Sequence, residues 1–174
     1  MPMRIVPVEP DHIPALSELA QVSFTETFGY LYPPEDLAHY LHKAYAGPAL
    51  AAEAADPLQF WRIAFDEDGR AAGYLQCGPV SLPHPDADPS REGELKRLYI
   101  HSDFQGRGLG RDLLNLALAH LSARYGAAAQ WIGVWSRNHK AQKLYASAGF
   151  EKVGDYLFAV GDTRDAEFIL RKAP

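Results

Sequence analysis

A chain of 174 residues, 47% hydrophobic and 22% charged, is long enough to bury a core and is expected to form a single domain over residues 1–174. Its net charge of −5 argues against a nucleic-acid partner and leaves room for a cationic substrate. No apolar run is long enough to span a membrane, "MPMRIVPVEPDH" lacks the apolar core of a signal peptide, and the lone Cys77 excludes an intrachain disulfide, which fits a reducing cytoplasm.

In chain order, "RIVPV" (4–8) alternates and predicts a first strand. "EPDHIPALSELAQVSF" (9–24) predicts a helix with Asp11 as N-cap and Ile13, Leu16, Leu19 and Ala20 on one face. "YPPEDLAHYLHKAY" (32–45) predicts a second helix, with proline in its first turn and acids after it, and "GPALAAEAAD" (47–56) a short third one. The strand-like runs "QFWRIAF" (59–65) and "AAGYLQCGPV" (71–80) flank the turn signal "DEDG" and predict a hairpin.

"SLPHPDADPSREG" (81–93) carries three prolines and predicts an exposed, mobile loop. "ELKRLYIH" (94–101) predicts a strand. In the helix that follows, Leu109, Leu113 and Leu116 form one stripe and Leu114, Leu118 and Leu121 a second, so it should lie largely buried against a sheet. "QWIGVWS" (130–136) predicts a strand with Trp131 and Trp135 on one face as core, and "NHKAQKLYASAG" (138–149) a helix ended by Gly149. "FEKVGDYLFAVG" (150–161) and "RDAEFILRK" (164–172) predict a closing hairpin. Strands first paired and then alternating with helices describe a mixed α/β sheet. His39 and His42 lie one helical turn apart without an acidic third ligand in register, so no metal site is expected.

The stretch that carries chemistry is "HSDFQGRGLGRDLL" (101–114), with Gly106, Gly108 and Gly110 between a strand and a helix. The dinucleotide fingerprint G-x-G-x-x-G and the P-loop would both want glycine at Arg111, so both fail. What fits is Q-x-x-G-x-G from Gln105 to Gly110. Backbone N–H groups at a helix start lack intrahelical acceptors and carry the positive end of the dipole, so removing side chains there lets a pyrophosphate settle on them. Arg107 and Arg111 can add charge.

"ELKRLYIHSDFQGRGLGRDLL" together with "WSRNHKAQKLYASAGF" resembles the GCN5-related N-acetyltransferases, the GNAT family. The resemblance is close over residues 94–150. It implies a central, mostly antiparallel twisted sheet with splayed fourth and fifth strands, flanked by helices, and acetyl-CoA as cofactor. It places the CoA pyrophosphate on the amides of Gly106, Arg107, Gly108, Leu109, Gly110 and Arg111 after Gln105, and the pantetheine beside Leu98, Tyr99 and Ile100. Asn138 would cap its helix while touching the cofactor. Tyr145 would be the general acid toward the CoA sulfur and Glu94 the base, acting through water, with a backbone N–H near Ile100 as oxyanion donor. An alkyl ammonium has a pKa of about 10, so some group must take its proton before it attacks a thioester.

The acceptor is expected to lie against "SFTETFGYLYPPEDLAHYL" (23–41), where Glu26, Glu35 and Asp36 stand beside Phe28, Tyr30 and other aromatics. Carboxylates next to aromatic faces suit a slender cation. That arrangement, with the "GVW" strand and F-x-x-G-D at 158–162, is similar to the PaiA-like polyamine acetyltransferases, which implies a small-molecule amine such as spermidine or spermine. A peptide N-terminus, an antibiotic amine, and a non-catalytic acyl-CoA sensor remain open, as does a homodimer.

Overall fold

The computed structural model describes residues 2–174. Strand β1 (Arg4–Pro7) leads through a short 3-10 turn into α1 (Ile13–Phe28), α2 (Pro34–Tyr45) and α3 (Gly47–Ala55). Strands β2 (Phe60–Phe65), β3 (Ala71–Pro79) and β4 (Gly93–Ile100) follow, then α4 (Leu109–Tyr125), β5 (Gln130–Trp135), α5 (His139–Ser147), β6 (Glu151–Val160) and β7 (Thr163–Lys172). The strands form one sheet in the order β1-β2-β3-β4-β5-β7-β6, antiparallel throughout except between β4 and β5. This is the mixed sheet and closing hairpin read from the sequence.

The helices divide between the two faces. Against one face, Leu109, Leu113, Leu114, Ala117 and Leu121 of α4 and Tyr145 of α5 pack on Leu75, Cys77, Leu95, Ile132 and Leu170. Burying a leucine of that kind contributes about 1.5–3 kcal/mol, so α4 is fixed by its two apolar stripes. Against the other face, Leu16, Leu19, Ala20 and Phe24 of α1 meet Tyr45, Leu50, Ile63 and Tyr74.

The parallel pairing of β4 and β5 is brief. Gly93, Glu94 and Leu95 pair with Gln130, Trp131 and Ile132, and the register ends there. On its other edge β4 stays bonded to β3, but Gln76 pairs with Arg97 while Cys77 pairs with Leu95. Lys96 is therefore an extra residue, and a β-bulge of this kind bends its strand and increases the local twist. The bent end of β4 leaves β5, which stays bonded to β7 as far as Trp135.

Three expectations need correction. Asp11 does not cap α1: it lies within the 3-10 turn Pro10–His12, where His12 Nδ1 accepts the Glu9 N–H at 3.0 Å, and the helix starts at Ile13 with Pro14 supplying no N–H to cap. The proline-rich segment 81–93 is a loop with its three prolines exposed, as read, but it is anchored to the sheet. Val80 and Leu82 are buried against Trp131 and Ile169, the His84 ring lies 5.1 Å from that of Trp131, and Glu92 accepts from both Asp88 N–H and Trp131 Nε1. Nor are the two tryptophans alike. Trp131 is fully buried, while Trp135 is half-buried with its ring 5.2 Å from that of Phe28.

Gly73 on β3 faces Ile100, and a Cβ there would sit 2.9 Å from the Tyr99 carbonyl oxygen and 2.8 Å from the Ile100 side chain. The carbonyl belongs to a paired strand and has little room to give. Gly73→Ala should cost roughly 1–3 kcal/mol, seen as a fall in the thermal midpoint of roughly 2–10 °C.

Candidate active site

The glycine turn follows directly from the end of β4. Gln105 Nε2 donates to the Ile100 carbonyl at 3.1 Å, which folds the turn back onto the strand, and Phe104 and Leu109 anchor it in the core. Gly106 and Gly108 have φ of +76° and +84°, a conformation that costs a side-chain-bearing residue energy. Gly110 differs, because its backbone is helical and the nearest atom to a Cβ there would be 4.0 Å away, on Ile100. Neither strain nor packing within the chain explains it. Gly108 also has no side chain to cap α4, so the first-turn N–H groups point to open space beside the exposed Arg107 and Arg111.

Leu98, Tyr99 and Ile100 bond through one edge to β3, while the edge toward β5 has passed the end of the pairing. A cavity of about 560 Å³ opens in the gap between the two strands. Its walls on the α4 and α5 side include Leu98, Ile132, Val134, Asn138, Leu144 and Tyr145. Asn138 Oδ1 accepts the Ala141 N–H at 3.1 Å, so it caps α5 while facing the cavity. Tyr145 is 6% exposed, burial pushes its phenol up to about 12, and no described residue hydrogen-bonds its hydroxyl. It therefore stays a protonated donor across the neutral range.

The opposite end of the cavity is aromatic and charged. Phe24, Phe28, Tyr40, Trp135, Tyr156 and Phe158 line it with Glu53, Glu94, Lys96, Arg97 and Glu167. Glu94 Oε1 accepts from Ser81 N–H at 2.8 Å and Ser81 Oγ at 3.2 Å and lies 3.5 Å from Lys96 Nζ. Arg97 pairs with Glu53 at 3.2 Å and donates to Gln76 at 3.1 Å.

Residues 13–150 match the acetyltransferase (GNAT) family. The chain belongs to that family. An uncharacterised N-acetyltransferase from the pepI 3′ region of Lactobacillus delbrueckii subsp. lactis is 33% identical over 171 residues, covering 98% of this chain and 97% of that one. The spermine/spermidine N(1)-acetyltransferase of Bacillus subtilis is 29% identical over 93 residues, 52% of this chain and 59% of that one. In fold, the chain is similar to the PaiA N-acetyltransferase of Thermoplasma acidophilum in complex with coenzyme A, with a TM-score of 0.78, 20% identity and full coverage of both chains.

As a GNAT enzyme, the protein is an acetyl-CoA-dependent N-acetyltransferase. No helix among the described residues is long and apolar enough to cross a membrane. The open cradle at Gly110 fits the donor: it is a place kept free of side chains next to uncapped amides. Of the acceptor segment read from the sequence, the aromatics Phe24, Phe28 and Tyr40 line the cavity and the three acids do not. Glu26 instead accepts from Ser102 N–H and Oγ, Tyr30 is 72% exposed, and Glu35 and Asp36 lie in the first turn of α2, Asp36 against the Gly161 turn. Sequence reasoning passed over Arg97, Tyr156 and Glu167. The signal for Glu167 was present, since "DAEFI" puts Asp165 and Glu167 at the inward positions that Ile169 also occupies.

Gly110→Val adds bulk where the chain itself has room and no backbone strain arises. It should leave the thermal midpoint nearly unchanged and weaken acetyl-CoA binding tenfold or more in calorimetry, about 1.4 kcal/mol.

Proposed function

We propose that the enzyme acetylates the primary amine of a small cationic molecule of the spermidine or spermine class, by direct attack of the amine on the thioester. One observation carries this reading: the cavity between β4 and β5 presents four carboxylates, Glu53, Asp56, Glu94 and Glu167, against two cations, Lys96 and Arg97, inside an aromatic wall. An excess of negative charge beside ring faces favours a slender polycation over a neutral peptide amine. The partial likeness to a spermine/spermidine acetyltransferase supports the same choice.

In this reading acetyl-CoA supplies an activated acyl thioester, and the chain supplies position and protons. The first-turn amides of α4, from Gly106 to Arg111, hold the pyrophosphate, and the free edge at Leu98, Tyr99 and Ile100 aligns the pantetheine as an added strand would. Tyr145 protonates the departing sulfur, and Asn138 caps the opposite, N-terminal end of the same helix. Glu94 anchors the Ser81 loop at the mouth of the gap and is a candidate for relaying the amine proton through water. The acids outside the cavity, Glu26, Glu35 and Asp36, together with Tyr30, lie at its approaches, where they attract a polycation before Phe28 and the inner aromatics receive it.

Two measurements test this. With acetyl-CoA and an amine panel, thiol release should give spermidine a kcat/KM at least tenfold above a neutral peptide N-terminus, with KM rising with salt as exposed charges are screened over roughly 8–10 Å. A peptide turned over while spermidine is not would remove the acceptor assignment. Tyr145→Phe should keep acetyl-CoA affinity and lower kcat on the order of 10²-fold; a kcat within twofold of wild type would make the phenol a packing residue.

A further inference from the structure

Of the four carboxylates that line the cavity, two pair with its two cations, a third accepts a backbone N–H, and one has no partner of any kind among the described residues. Arg97 pairs with Glu53 and Lys96 with Glu94, and at the rim Asp56 accepts the Leu58 N–H. Glu167 is 7% exposed, lines the cavity, and has neither a hydrogen bond nor an ion pair with any described residue. An ionisable group held this far from water is costly unless something meets it, so an unmatched one facing a substrate cavity implies a partner that arrives with the ligand.

Its surroundings are built in detail. Glu167 stands on β7 between Trp135 of β5 and Tyr156 of β6. Asp165, two residues earlier on the same face, is buried and accepts a hydrogen bond from the Tyr32 hydroxyl. The Tyr156 ring reaches across β7 to β5, where a Cβ on Gly133 would lie 2.6 Å from its hydroxyl oxygen, so Gly133 makes the room for it. Tyr156 and Tyr32 both keep their protons, through burial and the neighbouring carboxylates. Burial first, and the Asp165 charge second, push Glu167 up to about 7. The titratable groups facing it are thus Asp165, Tyr156, Tyr32 with Tyr30 beyond it, and Glu94 with Lys96 across the cavity, while β5 contributes the non-titrating Trp135.

We propose that Glu167 is the catalytic base of this site, its carboxylate pairing with the ammonium of the incoming amine and taking its proton, with Asp165 and Tyr32 as positioning residues behind it. The inference rests on the reading of the cavity as the amine site. The ammonium gives one proton to Glu167, and the freed lone pair forms the C–N bond as the thioester C–S bond breaks. The leaving sulfur takes a proton from Tyr145, the nitrogen's second proton restores the phenol, and Glu167 returns its own to solvent. An acid titrating near neutrality is suited to that exchange, whereas Glu94 already has Oε1 engaged by Ser81 and Lys96.

The test uses the best primary amine of the panel with saturating acetyl-CoA, and follows kcat/KM from pH 5.5 to 9 in wild type, Glu167→Gln and Asp165→Asn. Glu167→Gln keeps the shape of the side chain. It should hold acetyl-CoA affinity within twofold, lose on the order of 10²-fold in kcat/KM at pH 7.5, and lose the ascending limb near 7. Asp165→Asn removes a like charge, so the limb should move to lower pH, an effect that a purely structural acid would not show. A Glu167→Gln enzyme within threefold of wild type, or a limb unmoved in Asp165→Asn, overturns the assignment while the amine reading stands. Should Glu167→Gln fail to fold, the direction of the Asp165→Asn limb decides. Wild type inactive on every amine of the panel would sink the amine reading, and this inference with it.

Discussion

β4 and β5 lie side by side for three residue pairs, Gly93–Gln130 to Leu95–Ile132, and the bulge at Lys96 then carries β4 away. Past that point two strand edges face each other with N–H and C=O groups that no strand pairs. Leaving such a group buried and unmatched costs about 1–3 kcal/mol, so the gap has to be filled by solvent or by a molecule that can bond like a strand. The sheet tolerates this because its halves are held from outside the gap. β4 stays bonded to β3 and β5 to β7, and α4 packs on β3 and β4 from one face, its leucines in one core with Ile132 and Val134 of β5. A binding cleft is thus obtained by withholding backbone pairing at one place in an otherwise continuous sheet.

The separation of the two strands also sorts the chemistry by face. On the α4 and α5 side stand the uncapped amides after Gly108, the open cradle at Gly110 and the buried phenol of Tyr145. On the side of α1 and α2 stand aromatic rings and charges in low exposure. In the proposed reading, acyl donor and amine meet through the sheet from opposite faces without competing for one entrance. The ion pairs Glu53–Arg97 and Glu94–Lys96 use up both cations of the cavity and leave Asp56 and Glu167 as its surplus acids.

Much of this was legible in the residues, and the exceptions have physical causes. Every strand and helix appears in the order read from the pattern, because periods of 2 and 3.6 are local properties of the chain. The glycine turn itself was legible for a similar reason: positive φ at Gly106 and Gly108 and the missing side chain at Gly110 are spelled by the residues directly. The loop 81–93 misled because three prolines signal a turn but carry no information on what Leu82 and His84 will touch, and Trp131 lies almost fifty residues further along. The acids Glu26, Glu35 and Asp36 stand close in sequence to aromatics but do not line the cavity, which is assembled from residues distant in sequence. Glu167 could have been suspected from acids at the apolar positions of a strand, but its partner strands, β5 and β6, fix which cavity it faces.

The acids outside the cavity then take on a structural meaning. Glu26 ties the end of α1 to Ser102, just after β4, and Asp36 fills the space beside Gly161 at the β6–β7 turn. Between them Tyr32, in the link from α1 to α2, reaches Asp165 across 133 residues of sequence. The hydrogen bonds of Glu26 and Tyr32 thus tie the helical wall to Ser102, just after β4, and to β7, while Asp36 packs against the β6–β7 turn. The Tyr32 contact joins the helical wall to the strand that carries Glu167. A polar contact of this kind stabilises the fold only modestly when its atoms stay partly wet. Asp165 and Glu167 share one face of β7, so the contact joins the helical wall to the carboxylate whose charge helps raise the Glu167 carboxyl.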